Sequence, residues 1–253
     1  MFAAIADAYR RTRKPVDLVF NRYVARPLAA VLVVAVASTR LTPNQLTFGS
    51  LGLFVIAAAG VVLLPSHEGL IASVALLELS YVVDMADGQL ARYRGTSSPV
   101  GAHLDYMADE LKALLLVAAC AVRLWQPASE PRWLLEGLLG AVTVATAVTL
   151  TSFLRRPEVV STAGALAAPA AGDYGQGLPT TQGPVRGSGL ARAARALEAV
   201  GKFVVHYPTY LWAVALLDRL DLFLHAYIFM NLAYAGRCLL LTLWRLGRLA
   251  PKT

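Results

Sequence analysis

The 253-residue chain is 57% hydrophobic, with a mean hydropathy of +0.56 and only 15% charged residues, against about 25% in a soluble globular domain. Those figures exclude a water-soluble domain and leave room for one bundle of membrane-spanning helices and little besides. The net charge of +7 is no nucleic-acid footprint, because Lys and Arg gather in the cytoplasmic loops of polytopic proteins.

Residues 1–40 read as a separate cytoplasmic and interfacial segment. Up to Pro27 it is basic (Arg10, Arg11, Arg13, Lys14, Arg22, Arg26), with Val16, Phe20 and Tyr23 at helical spacing. This predicts an amphipathic helix lying on anionic lipid. The apolar run 28–38 is too short for a crossing, which takes about 20 residues, and reads as a half-buried or interfacial helix. Residues 41–253 form the membrane domain. Thr42 suits an N-cap and Pro43 the first helical turn. Spans are predicted at about 44–64, 70–92, 99–124, 133–154, 203–217 and 222–243. The segment 157–189, rich in Gly, Ala, Pro, Ser and Thr, reads as a flexible cytoplasmic loop, and 190–200 as a second interfacial helix. The fold class is therefore all-α: six transmembrane helices preceded by an interfacial one.

Six spans place both termini on one side. The basic N-terminal cluster, Arg92, Arg94, Arg155, Arg156 and the basic tail share that side, while Arg123, Arg132 and Arg219 lie on the other. The asymmetry orients the termini toward the cytoplasm, as expected for a bacterial inner-membrane protein. Cys120 and Cys238 fall in apolar segments and read as core hydrophobes rather than a disulfide.

The chemistry concentrates between residues 84 and 109. Asp84 and Asp87 share one helical stripe, and Asp105 and Asp109 share another. The connection 93–98 is short, so the two spans are antiparallel neighbours. Asp84 lies roughly 12 Å inside Arg92, and Asp105 roughly 9 Å inside Pro99, at about 1.5 Å per residue. Both pairs thus reach a similar depth in the cytoplasmic leaflet, where acids mark a functional site. Four carboxylates gathered there take up protons or bind cations. All-oxygen ligands favour Mg²⁺, Mn²⁺ or Ca²⁺, and four carboxylates suit a two-metal phosphoryl-transfer site. Gly88 and Ala91 on the Asp84 stripe, with Gly101 one turn before Asp105, leave room for a bulky ligand. Arg92 at the mouth suits a phosphate. Together these point to a nucleotide or pyrophosphate substrate.

The stretch matches without a gap the pattern D-x2-D-G-x2-A-R-x8-G-x3-D-x3-D, carried by Asp84, Asp87, Gly88, Ala91, Arg92, Gly101, Asp105 and Asp109. It resembles the CDP-alcohol phosphotransferase family. Thr42-Pro43-Asn44 before the first span and Ser152-Phe153-Leu154-Arg155 at the end of the fourth also resemble that family. The resemblance implies that CMP is displaced from a CDP-alcohol, above all CDP-diacylglycerol, by the hydroxyl of a small polar or phosphorylated alcohol. It further implies that Asp84, Asp87, Asp105 and Asp109 hold two divalent ions, Mg²⁺ or Mn²⁺, and that Asp109 is the general base. Asp84, Gly88, Ala91, Arg92 and Gly101 would line the CDP pocket, and the enzyme would be a homodimer. Asn44 reads equally as a nucleotide contact or a helix cap, as does Thr47. Lys112 reads as an acceptor-phosphate ligand or as an ion-pair partner of Glu78, Glu110 or Asp109. Arg155 reads as an acceptor-phosphate ligand or a positive-inside anchor. His103, His206 and His225 read as ordinary bundle residues. The N-terminal Asn21-Arg22-Tyr23 and Arg26-Pro27 resemble the branch that makes di-inositol phosphate phosphates from CDP-inositol. A cation transporter or metal-binding channel is the rival of another class.

Overall fold

The computed structural model describes residues 1–14, 17–154, 156 and 206–246. Their regular structure is helical, and no strand occurs among the described residues. In order, the helices are α1 (Phe2–Thr12), a π-helical turn (Asn21–Ala25) continuing into α2 (Arg26–Val36), α3 (Pro43–Leu63), α4 (His67–Arg94), α5 (Pro99–Trp125) and α6 (Pro131–Leu154). A 3₁₀ turn (Tyr207–Thr209), α7 (Leu211–Leu216) and α8 (Leu220–Leu246) complete them. The chain divides into two compact units. One comprises Met1–Ala119 with Leu211–Asp218, and the other Cys120–Tyr210 with Arg219–Thr253.

Local chemistry explains where the helices of the first unit begin and end. At the start of α3, Thr42 Oγ1 accepts from the Gln45 amide at 3.2 Å, while Gln45 Oε1 accepts from the Thr42 amide at 2.9 Å, satisfying two otherwise orphan donors. Ser66 Oγ caps α4 through the Gly69 amide at 3.0 Å. The end of α4 is a Schellman motif: Gly95 takes φ +66°, its amide donates to the Arg92 carbonyl, and Thr96 donates to that of Ala91 at 2.8 Å. The left-handed turn favours glycine there. It stops the helix two residues after Arg92 and sends the chain directly into α5. Ser98 opens α5, its Oγ accepting from the Gly101 amide at 3.0 Å.

Helices α3 and α4 pack closely along an antiparallel seam. Phe54, Ala57 and Val61 of α3, with Leu70, Val74 and Leu77 of α4, are buried. A side chain at Gly60 would collide with Ser73, so glycine permits this approach. Ser80 Oγ donates to the Ser50 carbonyl at 2.8 Å and ties the seam together near mid-length.

The N-terminal segment is more tightly docked than a helix resting on lipid. In place of one basic helix as far as Pro27, α1 ends at Thr12, and the π turn leads into α2. Both α1 and α2 pack on α4, with Ala8, Ala29, Val33, Ala86 and Leu90 forming their common core. Polar ties surround that core. Arg26 and Asp17 form a buried ion pair, Gln89 Nε2 donates to the Arg26 carbonyl at 3.1 Å, and Tyr81 Oη donates to Asn21 Oδ1 at 2.7 Å. Arg94 closes the junction to α3, its guanidinium donating to the carbonyls of Leu41, Val36, Ala37 and Thr39 at 2.5–3.0 Å. Replacing Arg94 by Met strands the part-buried Val36 and Ala37 carbonyls at a helix end. The expected cost is about 1–3 kcal/mol, read as a lower thermal midpoint of the purified protein.

In the second unit α6 packs on α8, with Thr151 Oγ1 and Tyr234 Oη 3.2 Å apart and His225 Nε2 2.8 Å from Glu136 Oε2. Gly137 lets the Ala121 side chain approach α6. Cys120 and Cys238 are both free and buried, as their apolar settings implied.

Among the described residues α3, α4 and α6 are long and apolar enough to cross a membrane. Helix α5 matches its predicted span in length but carries Asp105, Asp109, Glu110, Lys112 and Arg123. Of the fifth predicted span, the described part is interrupted: the turn at Pro208 separates it from the short α7, because proline cannot continue a helical ladder. The predicted loop 157–189 and second interfacial helix 190–200 lie outside the described residues.

Candidate active site

The site is assembled by three helices of the first unit. Helix α4 contributes Asp84 and Asp87, one turn apart and 2% and 5% exposed. Helix α5 contributes Asp105 and Asp109, also one turn apart and half-buried. One carboxylate oxygen from each of Asp84, Asp105 and Asp109 lies within 4.8 Å of the others, so the two acidic stripes do face each other. Asp87 is not part of this close group, although the spacing placed all four together.

Helix α3 supplies hydroxyls that the sequence reading overlooked or left open. Thr47 Oγ1 donates to Asp87 Oδ2 at 2.5 Å, and Ser50 Oγ lies 3.0 Å from Asp84 Oδ1. The antiparallel seam explains the match, since hydroxyls three residues apart on α3 meet carboxylates three residues apart on α4. Their spacing on an otherwise apolar helix was the available signal. Asn44, at the N-terminus of α3, faces the start of α5; a side chain on Gly101 would lie 3.4 Å from Asn44 Oδ1.

Lys112 introduces a charge into this acidic cluster. Its ammonium, 2% exposed, is ion-paired with Asp84 and lies 3.6 Å from Asp109 Oδ1. Asp84 is a partner that spacing along α5 does not reveal, because it belongs to another helix. The engaged ammonium thus sits among the acids, the ion-pair arrangement that was one of its two sequence readings. Arg92 donates from Nε to the Thr12 carbonyl at 3.0 Å, capping α1, and its guanidinium lies over Gly88, 3.4 Å from where a Cβ would be. Arg92 thus borders the space read beside Gly88 without filling it. Ala91 is half-buried on the same helix. Arg155 lies outside the described residues.

The donor set fits a hard divalent cation. Oxygens bound to one such ion at about 2.0–2.6 Å are at most roughly 5 Å apart, and the Asp84, Asp105 and Asp109 oxygens meet that limit. The ammonium already seated there shows that the cluster attracts positive charge.

The profile of the CDP-alcohol phosphatidyltransferase family matches residues 40–182, a stretch that contains α3 to α6 and every acid of the site. The chain belongs to that family. As a CDP-alcohol phosphotransferase it is an enzyme and an integral membrane protein. Among solved structures, the phosphatidylinositol phosphate synthase PgsA1 of Mycobacterium tuberculosis superposes with a TM-score of 0.54 over 88% of this chain and 100% of that one, at 18% identity. That likeness establishes a shared fold. No curated protein matches the sequence significantly. In this chain three of the motif's four acids, drawn from two helices, converge at one point.

Proposed function

We propose that the enzyme transfers the phosphatidyl group of CDP-diacylglycerol to a small polar or phosphorylated alcohol and releases CMP. The observation that carries this reading is the approach of Asp84, Asp105 and Asp109 within 4.8 Å. Asp84, Asp87, Asp105 and Asp109 hold Mg²⁺ or Mn²⁺. The bound ions supply charge neutralisation for the pyrophosphate and for the leaving CMP. Asp109 accepts the proton of the acceptor hydroxyl. The acceptor oxygen then bonds to the phosphorus bearing the lipid, and the bond from that phosphorus to the bridging oxygen breaks, CMP departing with that oxygen. Thr47 and Ser50 orient Asp87 and Asp84 by hydrogen bonding. The nucleotide lies along Asp84, Gly88, Ala91, Arg92, Gly101 and Asn44, and Arg155 serves the acceptor's phosphate. The bundle crosses the membrane six times with termini and site cytoplasmic, and functions as a homodimer.

The test is incubation of the purified protein with radiolabelled CDP-diacylglycerol and Mg²⁺ or Mn²⁺, reading CMP release with inositol phosphate, glycerol phosphate, serine and inositol as acceptors. CDP-inositol in a parallel arm examines the other donor. Divalent-ion binding with no CMP release from either donor sinks the proposal in favour of an ion-handling protein.

The hydroxyls provide a finer check. Thr47→Val removes the donor to Asp87 while keeping the shape. It is expected to raise the Mn²⁺ concentration for half-maximal turnover by roughly 10–100-fold, the usual range for partners of metal ligands. Thr47→Ser should remain near wild type.

A further inference from the structure

Lys112 occupies a position that its neighbours define closely. Three residues from Asp109 on α5, it shares that acid's face, and its ammonium reaches across to Asp84 on α4. Asp84 and Asp109 are two of the three acids that gather at the candidate metal site, and Asp84 Oδ1 also lies 3.0 Å from the Ser50 hydroxyl. A divalent ion seated on the same carboxylates would stand within a few ångströms of the ammonium. The lysine is 2% exposed, so little water or salt screens one charge from the other. Its flexible four-carbon stem, ending in a compact charge, permits movement that a shorter or rigid side chain would not.

We propose that Lys112 is a resident counter-ion that competes with a divalent cation for Asp84 and Asp109, so that metal loading requires its ammonium to leave those carboxylates. This rests on the reading of the aspartates as metal ligands. Without metal, the lysine holds the two acids together against their mutual repulsion; with metal, it opposes the ion. The enzyme's affinity for its ion is therefore set partly by a side chain that is not a ligand. A purely structural ion pair makes the opposite prediction, because losing it would let Asp84 drift and would weaken metal binding.

The experiment is Mn²⁺ titration of the full-length protein in detergent, following free Mn²⁺ by electron paramagnetic resonance, alongside thermal unfolding in EDTA and in Mn²⁺. Lys112→Met is expected to bind Mn²⁺ about tenfold more tightly than wild type, given the strength of a poorly screened like-charge contact. It should also unfold at a lower temperature in EDTA, with a larger rise on adding Mn²⁺. Lys112→Arg, which keeps the charge, should bind as wild type does. If Lys112→Met does not fold in either condition, Lys112→Gln carries the same expectation. Equal or weaker Mn²⁺ binding by the neutral variant overturns the inference while leaving the metal reading intact. Absence of Mn²⁺ binding by wild type and variant alike overturns both.

Discussion

Asp109→Asn is expected to stop turnover while CDP-alcohol binding survives. Asp109 has 28% of its side chain exposed, against 2% for Asp84, so an acceptor hydroxyl can reach it while Asp84 is enclosed. Asparagine preserves shape and one oxygen but takes up no proton at neutral pH. Loss of a positioned base costs about 10²–10⁴ in rate, and the weaker ion ligand adds to that. The measurement pairs CMP release with direct binding of the CDP-alcohol to the purified variant. Near-normal turnover would remove Asp109 from the role of base. Loss of binding in equal measure would instead make it chiefly a ligand for the ions.

Asp84→Asn is expected to be broader in effect. Asp84 lies where three dependencies meet: Ser50 on α3, Lys112 on α5 and the convergent acids. Removing its charge leaves the buried Lys112 ammonium with one fewer partner. Breaking a buried ion pair from one side costs about 3–5 kcal/mol. Thermal midpoint, CDP-alcohol binding and turnover should therefore all fall together. The double variant Asp84→Asn/Lys112→Met removes both charges and should regain much of the stability without regaining turnover. A double variant no more stable than the single one would mean that the loss arises elsewhere, for instance at the Ser50 contact.

These two outcomes separate the roles within one motif, where spacing alone treats the four aspartates alike. Burial distinguishes them. The α4 acids are enclosed and hydrogen-bonded by α3, whereas the α5 acids line a more accessible side. The enclosed pair therefore suits fixed ligation, and Asp109 suits a group that must meet a second substrate.

The course of α3 to α6 and of α8 was legible in the order of residues because apolar runs of membrane length, caps such as Thr42 and Ser66, and breakers such as Pro131 act locally. The pairing of acids on one face was legible for the same reason: helical geometry alone puts Asp84 with Asp87 and Asp105 with Asp109. The N-terminal segment was less legible. Its basic, amphipathic character is shared by helices that lie on lipid and helices that dock on protein, and its hydrogen-bond partners Tyr81, Gln89 and Arg94 lie more than 50 residues away from it. The short α7 was hidden by an apolar run in which Pro208 counts for more than hydropathy.

What the chain's order determined by itself is the membrane character, the helical class and the motif that places it among the CDP-alcohol phosphotransferases. The tertiary structure decided which acids meet, that Ser50 and Thr47 stand behind them, that Arg92 holds the N-terminal helix and that Lys112 sits on Asp84. Those facts depend on how each helix is rotated against its neighbour, and rotation is set by the packing of surfaces such as the Gly60–Ser73 contact. No periodicity along a single helix encodes it.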